Sequence, residues 1–162
     1  MVDLSKAISF KEYLAKTKED YGDTQEKTYN NTKLSDFAKK QMDNLKEPVN
    51  AVVFTEGFCP DCIVTIPFIE KLSEYNNNLK VSYLPRKGFE SFLEAAVGSI
   101  AIPTIITFDK DMNPKGAYVE IPKAIKEKLC ELPLNERKNI INEYRDGKFN
   151  NEIEKDLLDI IL

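Results

Sequence analysis

Five consecutive residues, Phe58-Cys59-Pro60-Asp61-Cys62, hold the side chains of this sequence best suited to chemistry. The run Val49-Asn-Ala-Val-Val-Phe-Thr55 ahead of them has strand character, and residues 59–75 read as a helix, so the first sulfur stands where a strand hands over to a helix. At such a point the first-turn N–H groups lack intrahelical partners and the helix dipole is positive, and both favour thiolate over thiol. A thiolate attacks disulfides, and a second thiol two residues further along can resolve the mixed disulfide that results. On the motif alone two other uses stay open: half of a zinc site, or two inert core thiols. Zinc requires two further ligands, and in a chain without histidine only Cys130 and a carboxylate remain to supply them. Inert thiols leave the placement at a helix start unexplained.

The elements that position this pair belong to a chain of 162 residues, about one domain with appendages. Hydrophobic residues make up 42%, enough for one core, and the 31% charged and 10% aromatic content argues against wholesale disorder. A net charge of −4 argues against nucleic acid or an anionic membrane as partner. The absence of histidine excludes serine–histidine and cysteine–histidine catalysis, histidine-ligated zinc and a histidine proton shuttle. Three cysteines, an odd number, do not suit a structural disulfide framework. The opening Met1–Phe10 has an acid at Asp3 and no apolar stretch of signal-peptide length, and no apolar run approaches the roughly 20 residues of a membrane-spanning helix. A cytoplasmic protein is expected.

Residues 1–48 read as an N-terminal helical segment packed on the core. Ser9 and Glu12 form a capping-box pattern ahead of a face carrying Phe10, Tyr13 and Leu14. Leu34, Phe37, Ala38, Met42 and Leu45 make a second stripe, with Ser35 as its cap. Residues 49–132 carry the core: a strand to Thr55, the helix from Cys59 interrupted at Pro67, a strand over 80–84, and a helix over 89–97 with Phe92, Leu93 and Ala96 inward, stopped at Gly98. A hairpin of strands 104–108 and 117–121 follows. Strand–helix–strand order makes the first two strands parallel through a right-handed crossover. The fold class is therefore α/β, a mixed sheet of parallel strands plus an antiparallel hairpin, flanked by helices. Residues 133–162 form a C-terminal helical extension: a segment capped at Asn135, then an amphipathic helix whose Ile153, Leu157, Leu158, Ile160 and Ile161 must cover this domain or form a homodimer seam.

The segment from 49 to 121 resembles the thioredoxin superfamily, and more specifically an enlarged bacterial thioredoxin-like protein with a Cys-Pro-Asp-Cys site. The strand before the pair, Pro67 five residues after Cys62, and Gly98-Ser-Ile-Ala-Ile-Pro-Thr104 running into Ile105-Ile-Thr-Phe108 carry the likeness. The resemblance implies a cis bond before Pro103, packed beside both sulfurs, with Ile102 turned outward to pair with an extended substrate. It also implies a substrate groove shaped by Phe58, Ile102 and Pro103. Two departures stand out: Val53 occupies the place of the usual buried acid, and Phe58 that of the usual tryptophan. Pro60 suits a helix start. Asp61 suits the helix dipole but opposes a neighbouring thiolate.

The expected function is thiol–disulfide exchange, with Cys59 attacking and Cys62 resolving, on a disulfide-containing protein or a small thiol compound. No cofactor is bound beyond the Cys59–Cys62 redox disulfide, no metal is held, and a reductase or low-molecular-weight thiol donates electrons. Glu56, the nearest upstream acid, is the candidate for proton transfer to Cys62, against an ordinary solvated loop charge. Arg86 and Lys87 are read as surface charges, and Cys130, beside Leu129 on a helical stripe, as a core residue. The alternative is a redox-inactive thioredoxin-fold module that binds a partner in the same groove.

Overall fold

The computed structural model describes residues 2–162. Its sheet is built on β1 (Val49–Thr55), which pairs in parallel with β2 (Leu79–Pro85) on one side. On the other side β1 pairs antiparallel with β3 (Thr104–Phe108), and β3 with β4 (Pro114–Val119), giving the order β2-β1-β3-β4. Successive β1 side chains face opposite sides, and both sides are covered, which is why this strand is apolar almost throughout. Ala51 and Val53 join Ile105, Tyr118 and Tyr83 in the larger core. Val52 and Phe54 join Ile106, Leu84 and Leu93 in the smaller one.

The larger core is roofed by α1 (Phe10–Tyr21), α2 (Thr24–Asn31), α3 (Asp36–Met42), α4 (Pro60–Tyr75) and α8 (Asn150–Ile161); α5 (Glu90–Val97) covers the smaller. Ser9 and Ser35 cap α1 and α3 as their sequence contexts predict. Helix α2 has no apolar stripe and was not expected; it supplies polar groups instead. Pro67 does not interrupt α4, which runs unbroken to Tyr75. Lacking an N–H, Pro67 leaves the Ile63 carbonyl one turn earlier without its intrahelical donor, and Gln25 of α2 fills the place, Nε2 to O at 3.1 Å.

Three inward expectations are corrected. Phe37 is 60% exposed, Ala96 faces outward on α5, and Cys130 is exposed on α6 (Lys123–Glu131) rather than in the core. Each lies on a short helix with room for only a narrow inward face, taken by Met42, Leu93 and Ile125 respectively. Strand β4 starts at Pro114 and ends at Val119, because Glu120 takes a positive φ of 66° and leaves the ladder. Helix α7 (Leu134–Arg145) opens after Pro133 rather than at an Asn135 cap.

The amphipathic face of α8 is taken by its own chain. Ile153, Leu157, Leu158, Ile160 and Ile161 are all buried, packing toward β3, β4, α3 and α4, so this face is not open as a seam between two copies. Each such side chain contributes roughly 1.5–3 kcal/mol on leaving water. Helix α8 also presents two buried acids to other helix starts. Glu154 accepts from Ser35 N–H (2.8 Å) and its hydroxyl (2.6 Å) at α3, and Asp156 accepts from Lys123 N–H (2.7 Å) at α6. Both carboxylates thereby meet unpaired helical donors at the positive end of a dipole.

Replacing Gln25 by Met should leave the Ile63 carbonyl without a donor and cost about 1–3 kcal/mol in urea unfolding; an unchanged midpoint would show that the carbonyl finds another partner.

Candidate functional site

Because β1 and β3 are antiparallel, with Phe54 opposite Thr104, the end of β1 and the start of β3 share one edge of the sheet. The loop leaving β1 carries Cys59 into α4, and the segment entering β3 carries Ile102 and Pro103. Residues 59 and 102, far apart in sequence, therefore meet: the Cys59 thiol lies 3.5 Å from the Ile102 carbonyl, to which it donates. The Ile102–Pro103 bond is cis. The Pro103 carbonyl accepts from Glu120 N–H at 2.7 Å, which ties this segment to the end of β4.

Cys59 is the N-cap of α4, in extended conformation, and its sulfur accepts the Cys62 N–H at 3.3 Å. This is the bond a serine or threonine cap would make, with sulfur in place of oxygen. Pro60 occupies the first helical position, where a missing N–H costs nothing. Helix dipoles favour a nearby anion by about 0.3–1 kcal/mol, less than one pKa unit, so further donors matter. The Cys62 thiol is the strongest of them, followed by the Cys62 N–H, and together they hold the Cys59 thiol below its ordinary range, against burial and the Asp61 charge, which raise it.

The partner sulfur has the opposite character. Cys62 has no exposed surface, whereas Cys59 keeps 6%. Burial first, and then proximity to Cys59, push the Cys62 thiol well up. The groups that oppose this are the Thr55 hydroxyl and the Glu56 N–H. Thr55 in turn meets the Tyr13 hydroxyl at 3.2 Å, and Tyr13 donates to Gln25 at 3.3 Å, the residue that serves the Ile63 carbonyl. A buried polar chain thus runs from the Cys62 sulfur to the proline-opened turn of α4. Thr55, Tyr13 and Gln25 were not singled out in the sequence. Thr55 sits at the end of β1 and was visible as a polar residue closing an apolar run, whereas nothing in the sequence pairs it with residues 13 and 25.

The Glu56 carboxylate accepts from Lys87 N–H at 3.1 Å, bridging the loops after β1 and β2. It is the Glu56 backbone that serves the cysteines, its carbonyl taking the Cys59 N–H at 3.1 Å. Phe58 is 55% exposed beside Cys59 and stands edge-on to Tyr21, ring centres 6.0 Å apart. The approach of α1 to this loop is close enough that a Cβ on Gly57 would fall 2.7 Å from the Tyr21 ring. Asp61 is nearly buried and paired: Arg145 donates to it from Nε (2.8 Å) and a terminal nitrogen (3.2 Å). Among the described residues, no three histidine, cysteine, aspartate or glutamate side chains converge as a metal site, and no helix is long and apolar enough to cross a membrane.

A helix-capping cysteine, a sealed partner one turn on and a cis-proline segment against the first sulfur define a thioredoxin-like site. The chain belongs to the thioredoxin family, whose sequence profile matches residues 7–139. Two solved structures share the fold: a protein of unknown function from Pseudomonas aeruginosa and an HIV epitope scaffold. Each has a TM-score of 0.74 and 20% identity over 96% of this chain and 92% of its own. No curated protein matches the chain in sequence.

Alkylation of the native protein with iodoacetamide, resolved by mass spectrometry, should modify Cys59 fastest, exposed Cys130 more slowly and Cys62 last. With its thiol lowered, Cys59 should retain reactivity as the pH falls below the ordinary thiol range and lose it only on passing its own pKa. Modification of Cys59 no faster than Cys130 at neutral pH would contradict this ordering.

Proposed function

We propose that the protein is a thiol–disulfide oxidoreductase that reduces disulfides of proteins or small molecules. The observation that carries this reading is the Cys59 sulfur itself, held at a helix start by the Cys62 N–H and facing the cis Ile102–Pro103 segment. The Cys59 thiolate attacks one sulfur of the substrate disulfide, forming a mixed disulfide and expelling the other substrate sulfur as thiolate. Cys62 then gives up its proton and attacks the Cys59 sulfur. The Cys59–Cys62 disulfide forms, the second substrate thiolate leaves, and protons from the two enzyme thiols balance the two substrate thiolates. Two electrons pass from the enzyme dithiol to the substrate, and a reductase or small thiol restores the dithiol.

The contrast between the sulfurs fits this order of events. Cys59 is the more readily ionised of the two and attacks first, while Cys62, whose thiol is pushed up by burial, acts second, with Thr55 and the Glu56 N–H favouring its thiolate. Forming the mixed disulfide removes the Cys59 negative charge that disfavours a Cys62 thiolate. Exposed Phe58 precedes Cys59 and exposed Ile100 lies two residues ahead of Ile102, and both offer apolar surface to an extended chain. The Ile102 side chain is buried rather than turned outward, but its backbone lies beside the sulfur as a partner. The exchange uses no bound cofactor or metal, and a reducing compartment such as the cytoplasm keeps the dithiol charged with electrons.

Cys59→Ser should abolish insulin-disulfide reduction, and Cys62→Ser should accumulate mixed disulfides; full activity in Cys59→Ser would remove the mechanism, leaving a thioredoxin-fold binding module. Strong oxidants of this kind owe their potential to a stabilised reduced form. Equilibration with glutathione checks the direction of exchange: a couple near thioredoxin's value of about −270 mV is expected for a reductase, and one near about −120 mV would make the protein an oxidant.

A further inference from the structure

The dipeptide between the cysteines poses an electrostatic problem that the core module does not solve. Asp61 occupies the second helical position, two residues after Cys59 and directly before Cys62, and its charge opposes the Cys59 thiolate. Arg145 meets it with two donors, a fork on a carboxylate whose side chain is only 12% exposed. Arg145 ends α7, beyond the residues the thioredoxin profile matches. Its placement is not left to a flexible stem. The preceding residue, Tyr144, is fully buried and its hydroxyl meets the Thr65 hydroxyl of α4 at 2.8 Å, which the Tyr118 hydroxyl also meets, at 3.2 Å. Gly147, at a φ of 87°, turns the chain immediately afterwards. Helix α7 is thus pinned to the active-site helix one turn from the cysteines, and the pin delivers a cation to the one acid inside the motif.

We propose that Arg145 is a positioning residue of the redox site: by neutralising Asp61 it keeps the acid between the two cysteines from repelling the Cys59 thiolate, so the C-terminal extension completes the site. The inference rests on the thiol–disulfide reading above. Other groups acting on the Cys59 sulfur are Cys62 from its own helix and Tyr13 from α1; burial holds Tyr13 protonated and therefore uncharged. Asp61 and Arg145 are the fixed charges in its surroundings. An aspartate in this motif is compatible with a reactive thiolate because its charge is spent on Arg145.

The test is the pH profile of Cys59 alkylation in the full-length protein, compared among wild type, Arg145→Met, Arg145→Lys, Asp61→Asn and the Asp61→Asn/Arg145→Met double variant. Arg145→Met keeps an apolar stem and removes the charge, so the profile should move up by about one pH unit, and the thiolate fraction below the pKa should fall about tenfold. Arg145→Lys should stay near wild type, and the double variant should return to it, since the repelling acid has gone with its partner. A purely structural role for Arg145 would not be reversed by Asp61→Asn. Should Arg145→Met fail to fold, Asp61→Asn carries the test alone: an unopposed Arg145 should move the profile down. A wild-type Cys59 with an ordinary thiol profile would overturn the oxidoreductase reading and this inference with it. A lowered wild-type profile that none of the variants moves, or a double variant that stays shifted, would overturn the role of Arg145 alone.

Discussion

One hydrogen bond, from the Cys62 N–H to the Cys59 sulfur, sets the terms for the rest of the molecule. A helix start must be capped, and when the cap is a cysteine the cap is also a nucleophile whose charged form makes the better acceptor. For that bond to matter chemically, the helix must begin at an edge of the sheet reachable from solvent, directly after a strand rigid enough to hold the cap in place. Strand β1, central in the sheet and paired on both sides, supplies the rigidity. Its antiparallel pairing with β3 brings the Ile102–Pro103 segment to the same edge.

The same helix has to seal its second cysteine, and sealing has a cost in unmet polar groups. Pro67 opens the hydrogen-bond ladder of α4, and Cys62, Thr55 and Tyr13 are polar groups on the core side of the sheet. The N-terminal helices answer this as much as they add apolar cover. Gln25 joins the freed Ile63 carbonyl to Tyr13, and Tyr13 joins Thr55 beside the Cys62 sulfur. On the far side, Tyr144 and Thr65 make the corresponding link to α7. The appended helices are therefore the polar supports of α4. The buried acids of α8 extend that pattern to the starts of α3 and α6.

Much of this was legible in the sequence where a local rule governs. The β-branched run of β1, the Ser9–Glu12 box, Gly98 as a helix stop and Pro60 behind a capping cysteine each declare themselves within a few residues, as does the strand-to-helix setting of Cys59 and Cys62. The thioredoxin resemblance placed Ile102 and Pro103 opposite them. Where several residues competed for a narrow inward face, local pattern failed. Phe37, Ala96 and Cys130 carry the right character at acceptable spacing, yet each short helix had room for only a slim buried stripe. Helix α2 was invisible for the opposite reason, since its buried contribution is polar and no hydrophobic period marks it.

The sequence by itself determined which atoms could react, because sulfur type, the two-residue gap and the strand-to-helix junction are all near neighbours along the chain. It did not determine what surrounds those atoms. Whether Glu56 would face Cys62 or Lys87, whether Asp61 would stand free or paired, and whether the last helix would cover its own sheet depended on contacts between residues far apart. Only tertiary packing decides such contacts: a charge or a carbonyl is assigned its partner when distant elements close on one another, and nothing in local spacing records which partner that will be.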